Sequence, residues 1–199
     1  MKSLRWGIIT LMLSLSLSGC ALLAIGGATV GGLALAERRT VGAQTDDQIM
    51  ELAVKNQIDG YLKKTPDAAN TGVSVVSYNR NILLMGAVPS EEERLTAERI
   101  ARTQQAVRHV YNYITVGAGR SADQIARDGW TTSKIRTMML KPRGFSPNHV
   151  KVVTHNGVTY VMGILTAEEQ AAATQEVSTT SGVQKVVTLY ETFTLAPQQ

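Results

Sequence analysis

The 199 residues are 44% hydrophobic and 5% aromatic, with 20 basic and 16 acidic side chains, a formal charge of +4 and one cysteine. A single thiol excludes an internal disulfide framework, so the fold must rest on its own core. A charge this small does not point to nucleic acid, and the length suits one ordinary domain or two small ones.

The chain opens as a secretory signal: Lys2 and Arg5 are followed by an apolar run from Trp6 to Leu17. It ends in Leu17-Ser18-Gly19-Cys20, which resembles a bacterial lipobox, where the cysteine is acylated and the chain is cut before it. The resemblance implies a lipid anchor on Cys20. With Ala21 rather than an aspartate next, it also implies the periplasmic face of the outer membrane. Each buried methylene of an acyl chain contributes about 0.8 kcal/mol, so several chains make attachment effectively permanent. Loss of Lys2 and Arg5 with residues 1–19 lowers the charge from +4 to +2. No charge occurs from Trp6 to Ala36, which is long enough for a membrane span. The cut at Cys20 and the glycines at 26, 27, 31 and 32 argue instead for a tether over residues 20–45.

Beyond the tether the sequence repeats itself. Val73-Ser74-Val75-Val76 matches Val150-Lys151-Val152-Val153 at an offset of 77, which also pairs Met85 with Met162, Gly86 with Gly163 and Glu91-Glu92 with Glu168-Glu169. Applied to the preceding helix, the same offset pairs Asp46 with Asp123, Ile58 with Ile135 and Lys64 with Lys141. Two copies follow, residues 46–116 and 123–195, joined by a linker over 117–122 and followed by a short tail at 196–199.

Each copy reads as helix, strand, strand, helix, strand. Ile49, Leu52, Ile58, Tyr61 and Leu62 recur at roughly helical spacing. Val73–Tyr78 and Ile82–Val88 are strand-like runs around Asn79-Arg80-Asn81, where the second copy carries Asn156-Gly157, a favoured hairpin turn. Ser90-Glu91-Glu92-Glu93 and Thr166-Ala167-Glu168-Glu169 both have the pattern of a capping box. Their acidic pairs are therefore charges at helix N-termini rather than catalytic carboxylates. Gly86 and Gly163, late in the second strand, suit a bulge or a close helix approach.

The aliphatic strand ending in Met-Gly, the acidic helix start and Gly182-Val183 before the last strand resemble the BON domain. The first copy departs from the pattern, with Ala106 where the second has Gly182. The resemblance implies an α+β fold of two tandem BON domains, each with two helices on a three-stranded mixed sheet, and no cofactor. It also implies recognition of anionic phospholipid, especially phosphatidylglycerol, by the second domain, with roles in outer-membrane integrity and at division sites.

The copies differ in charge around the first helix. Arg127, Lys134, Arg136, Lys141 and Arg143 surround it in the second copy, whereas Glu51, Asp59 and Asp67 lie among the lysines of the first. Asp128 is a candidate N-cap that would put Trp130 in the first turn and Lys134 one turn later, and the 77-residue offset places Trp130 where the first copy has Ala53. A tryptophan beside basic residues suits a membrane interface, so the candidate lipid-binding set is Trp130, Lys134, Arg127, Arg136 and Lys141. The alternative leaves Trp130 in the seam between the domains. Met138 and Met139 read as core filling. His109, His149 and His155 are scattered without metal-ligand spacing, and no nucleophile elbow or phosphate loop is present, so neither an enzyme nor a metal site is expected. A rival reading is an adaptor for envelope-assembly or cell-wall proteins that uses Tyr111 and Tyr113 on the first copy's last strand. The sequence carries no signal for the oligomeric state.

Overall fold

The computed structural model describes residues 37–141 and 144–194, so Cys20, the signal segment, most of the tether and Arg143 lie outside the described residues. The first lobe runs α1 (Val41–Leu62), β1 (Gly72–Tyr78), β2 (Asn81–Val88), α2 (Glu91–Arg102) and β3 (His109–Val116). The second repeats the order with α3 (Ala122–Met139), β4 (Val150–His155), β5 (Val158–Leu165), α4 (Ala167–Ser178) and β6 (Lys185–Thr192). In each, an antiparallel hairpin is extended by a parallel third strand, so the central strand is β2 or β5. No helix among the described residues is long and apolar enough to cross a membrane.

Helix ends differ from the sequence reading. Thr40 caps α1, its hydroxyl accepting from the Ala43 amide at 3.1 Å, so helix already occupies residues 41–45 of the expected tether. Ser121 caps α3 in the same way through Gln124, which moves the start of that helix seven residues ahead of Asp128. Trp130 is therefore in the third turn, not the first. Thr166 forms a complete capping box with Glu169, whereas Ser90 accepts from Glu92 and its hydroxyl bonds the Glu93 carboxylate directly. The box expected at Ser90 is thus replaced by a side-chain bond.

Each lobe packs its helices on one face of its sheet. Met50, Val54, Ile58 and Leu62 of α1 meet Ile82, Leu84 and Val88 of β2 and Val110 and Ile114 of β3. In the second lobe Ile135 and Met139 meet Val152, Val161 and Leu165. Ile49 and Leu52, expected to face this core, are 60% and 66% exposed, because the buried stripe runs through Met50 and Val54 instead. The other faces of the two sheets pack against each other: Tyr78, Leu83 and Met85 form a cluster with Tyr160 and Met162. All eight residues of β2 are buried for this reason, a strand covered by helices on one face and by a second sheet on the other. The lobes therefore form one body of helix, sheet, sheet and helix layers. Tyr113 lies edge-on to Tyr160, with ring centroids 4.9 Å apart.

Polar contacts ring this seam. The Tyr78 hydroxyl donates to the His149 carbonyl at 2.8 Å, and Lys151 reaches the Glu51 carboxylate and the Ser77 carbonyl. Glu191 accepts from Asn79 at 2.7 Å, Asn81 at 2.8 Å and Arg108 at 2.6 Å. Gly86 serves a close approach, though not to a helix: a Cβ there would lie 2.1 Å from the Gly72 carbonyl oxygen of the neighbouring strand.

The departure at Ala106 has a backbone consequence. Ala106 sits at φ 66°, and its counterpart Gly182 sits at φ 103° with Thr131 Oγ1 only 2.6 Å from where a Cβ would be. A side chain in left-handed backbone costs about 1 kcal/mol. Ala106→Gly should therefore stabilise the protein by about that much, while Gly182→Ala should destabilise it by more, through strain plus collision. Denaturant midpoints of the two variants, expected to move in opposite directions, check this.

Candidate functional site

The site is positioned by a carboxylate that locks α3 to the β4–β5 turn. Asn156 and Gly157 both have positive φ, the conformation of a tight two-residue hairpin turn, and their amides point inward. Asp128, 2% exposed, accepts from the Asn156 amide at 2.7 Å and the Gly157 amide at 3.0 Å. Arg120 and Gln124 hold the same carboxylate at 2.6 and 2.8 Å. Burial pushes the Asp128 carboxyl up, but the two amides, Arg120 and Gln124 outweigh it and leave it below the usual range. Asp128 is thus an internal clamp, not the expected N-cap.

The first lobe has the same device. Asp47 accepts from the amides of Asn79 at 2.8 Å and Arg80 at 2.7 Å, from Ser77 Oγ at 2.7 Å and from Arg39 at 3.1 Å. Asn79 and Arg80 form the two-residue turn, and Asn81 belongs to β2. The clamps align Arg39-Thr40 and Asp47 with Arg120-Ser121 and Asp128, an offset of 81 for the helices against 77 for the strands. The 77-residue match had slid the helices by one turn, which a helical pattern barely registers. With the register corrected, Trp130 corresponds to Ile49 rather than Ala53, Arg127 to Asp46 and Lys134 to Ala53.

Locked this way, α3 turns Trp130 to solvent at 71% exposure, which excludes burial in the seam. Below it lies a hollow of about 290 Å³ lined by Trp130, Arg127, Lys134, Gln124, Gly182 and Gln184, among others. Lys134 leans its ammonium onto the Ser181 carbonyl at 3.1 Å. Arg127 bonds Gln124 at 3.0 Å and pairs with Asp123, a neighbour that the charge comparison had passed over. Lys141 is exposed just beyond the end of α3. Of the five sequence candidates, Trp130, Arg127 and Lys134 therefore converge, and Lys141 continues the exposed surface.

Arg136 does not join them. Its guanidinium donates to the Val152 carbonyl at 3.0 Å, closing the free edge of β4, and it lines a different hollow with Met139 and Leu140. Leu140, 73% exposed at the end of α3, escaped the sequence reading. A large apolar residue at a helix C-cap beside exposed lysine was the available signal. Tyr111 and Tyr113, the expected adaptor surface, are turned to the second lobe: Tyr111 packs on the inter-sheet cluster and Tyr113 on Tyr160. A hollow of about 610 Å³ lies where the lobes meet, but its cations Lys55 and Arg120 already pair with Asp59 and Asp128.

Two three-stranded mixed sheets with paired helices, in tandem, define a protein with two copies of one small α+β module. Residues 50–118 and 127–190 both match the BON domain model, and the chain belongs to that family. It is 33% identical over 183 residues to the outer membrane lipoprotein DolP of Haemophilus influenzae, across 92% of this chain and 93% of that one. It is also 30% identical over 151 residues to a 21 kDa hemolysin of Actinobacillus pleuropneumoniae, across 75% of each chain. Among solved structures, the C-terminal domain of CdsD, the structural protein of the type III secretion system of Chlamydia trachomatis, is a distant likeness. It has 16% identity over 69% of this chain and 66% of its own, with a TM-score of 0.26. With two BON domains and a relative matched almost end to end, the chain is a DolP-like outer-membrane lipoprotein.

The clamp also leaves a pH signature. Burial, reinforced by Arg120, holds the His155 imidazole down to about 4 from its ordinary 6.5, with Asp128 pulling the other way. Between those values the unfolded chain binds a proton that the folded chain refuses. Stability should therefore fall as pH drops from about 6.5 toward 4. The depressed Asp128 carboxyl acts at lower pH, where its contribution disappears as it takes up a proton. His155→Gln should flatten the first of these slopes, as measured by denaturant midpoints at pH 7, 5.5 and 4.5.

Proposed function

We propose that the protein is held by acylated Cys20 on the periplasmic face of the outer membrane. There it binds anionic phospholipid, such as phosphatidylglycerol, through α3 of the second lobe. It acts as a binding protein rather than an enzyme, and lipid recognition supports outer-membrane integrity, with enrichment at division sites implied by the family resemblance. One observation carries the reading: Trp130 stands 71% exposed on α3, flanked by Arg127 and Lys134 over a hollow.

The chemistry follows from the parts. An indole with an apolar body and a polar N–H suits the headgroup level of a bilayer, and lysine and arginine beside it meet phosphate oxygens. Leu140, about 15 Å further along the helix, offers a second apolar contact. Each basic residue near an anionic surface contributes about 1 kcal/mol; with Arg127 offset by its partner Asp123, Lys134 and Lys141 supply about 2 kcal/mol, roughly thirtyfold in affinity. The corresponding face of the first lobe has Ile49, Asp46 and Ala53, which supply neither the aromatic nor the cations. An adaptor working through Tyr111 and Tyr113 is disfavoured, because Tyr111 packs on the inter-sheet cluster and Tyr113, though 38% exposed, lies edge-on to Tyr160.

Co-sedimentation of residues 37–199 with vesicles tests the reading. The protein should pellet with phosphatidylglycerol-containing vesicles, stay in the supernatant with neutral ones, and bind more weakly as salt rises. Trp130→Glu, or Arg127→Glu with Lys134→Glu, should reduce binding at least tenfold. Arg136→Ser should lower stability but leave binding intact. If the folded wild type ignores anionic vesicles, the lipid reading fails and a protein partner takes its place.

A further inference from the structure

The four residues that lead into α1, Glu37 to Thr40, bind the body in a way that a plain connector does not require. Arg38 and Arg39 point to different lobes. Arg39 turns to the first lobe, where it bonds Asp47 at 3.1 Å and lies over the Tyr78 ring at 4.3 Å. Its other nitrogens bond the Glu37 carboxylate at 3.0 and 3.1 Å. Arg38 turns to the second lobe. It donates to the Ile164 carbonyl at 2.8 Å, forks onto Glu169 at 2.5 and 3.0 Å, and lies over the Phe193 ring at 4.1 Å. The side chains of Arg38 and Glu169 are each only 13% exposed. A forked, largely buried pair of this kind is screened far less than a surface ion pair.

Arg39 has a counterpart in the repeat, because Arg120 serves Asp128 as Arg39 serves Asp47. Arg38 has none: the residue before Arg120 is Gly119. The module itself therefore does not explain Arg38. What distinguishes the first copy at this point is that the tether arrives there.

We infer that Arg38 is a positioning residue that fastens the membrane anchor to the second lobe, the lobe carrying Trp130, although the arm leads in sequence into the first. This rests on the lipid-binding role proposed for α3. The fastening point, Ile164 and Glu169, lies at one end of β5, and the Trp130 hollow lies at the other, beside Gly157. That separation is roughly 20 Å along the strand. The 16 residues from Ala21 to Ala36 can reach at most about 55 Å, so both ends of the second lobe can meet one leaflet. Anchor and α3 then attach one body to the lipid at two points, which raises the effective concentration of Trp130 there. With Arg38 released, the arm would be held by Arg39 alone and would leave the body from the first lobe rather than the second.

After removal of residues 1–19, Trp130 is the sole tryptophan, since the other is Trp6, and its emission reports on this site alone. The test uses the full lipidated protein in phosphatidylglycerol-containing vesicles doped with brominated lipid. It compares the wild type with Arg38→Ala and with Glu169→Gln, which keeps a residue able to close the capping box but removes the charge. Amide hydrogen exchange at Arg38 and Arg39 is followed in parallel. The expected result is a protected arm and strong Trp130 quenching in the wild type. Both variants should show faster arm exchange and quenching reduced at least threefold, with Arg38→Lys intermediate and melting temperatures close to wild type for Glu169→Gln. A wild-type arm that exchanges like free chain, or variants quenched as strongly as the wild type, overturns the role of Arg38 alone. A protected arm with no Trp130 quenching in the wild type overturns the lipid reading, and the positioning role falls with it.

Discussion

The structure depends on two buried aspartates that satisfy two hairpin turns. A turn with both central residues in left-handed backbone directs its amides inward, where only a well-placed acceptor can spare them the cost of lost hydration. Asp47 and Asp128 supply it from the first helix of each lobe, and Arg39 and Arg120 neutralise the carboxylates from the segment that precedes the helix. Removing one partner of such a buried pair typically costs about 3–5 kcal/mol, so the arrangement is strongly enforced. Its effect is geometric as much as energetic. It fixes both the rotation and the axial position of a helix against its sheet, and so decides which residues of α3 face the solvent.

The second constraint is the sharing of sheet faces. Helices cover only one face of each three-stranded sheet, and two apolar faces left over bury each other. That makes the tandem one body rather than two modules on a string, with Glu191 and Lys151 satisfying polar groups at its margins. A consequence reaches the function. Because the inner faces are occupied, a ligand surface must come from the outer helices or the ends of the strands, and Tyr111 of β3 is spent on the seam.

Much of this was legible in the sequence, and the misses share a cause. The strand repeat, the Asn156-Gly157 turn and the Thr166 cap were readable because strand alternation and turn chemistry tolerate no slippage. A helix shifted by four residues keeps nearly the same face, so an offset correct for the strands placed Trp130 opposite Ala53 without visible conflict. The Arg-Thr or Arg-Ser pair seven residues or so before an aspartate was the signal that would have corrected it. Likewise, Ile82 to Val88 is apolar without alternation, the mark of a strand buried on both faces, which foretells the packed lobes. Arg136 could not be separated from Arg127 and Lys134 by charge counting. Only the position of the Val152 carbonyl shows that its guanidinium is already used.

Two copies of one fold need not share one task, and the corrected register shows how they diverge. At the same outward positions of the first helix, the second lobe carries Trp130, Arg127 and Lys134 where the first carries Ile49, Asp46 and Ala53, and Asp46 is itself paired with Arg80. Asp47 and Asp128, not these six, accept from the turn amides, so the six differ between the copies while both turns stay satisfied. The clamp residues, by contrast, recur in kind, Arg39 with Arg120 and Asp47 with Asp128. Stability is thus held by what the copies share, and the proposed lipid recognition rests on what they do not. The first lobe supplies the second with a packed sheet, and the arm that enters it delivers Arg38 to the lobe that carries Trp130.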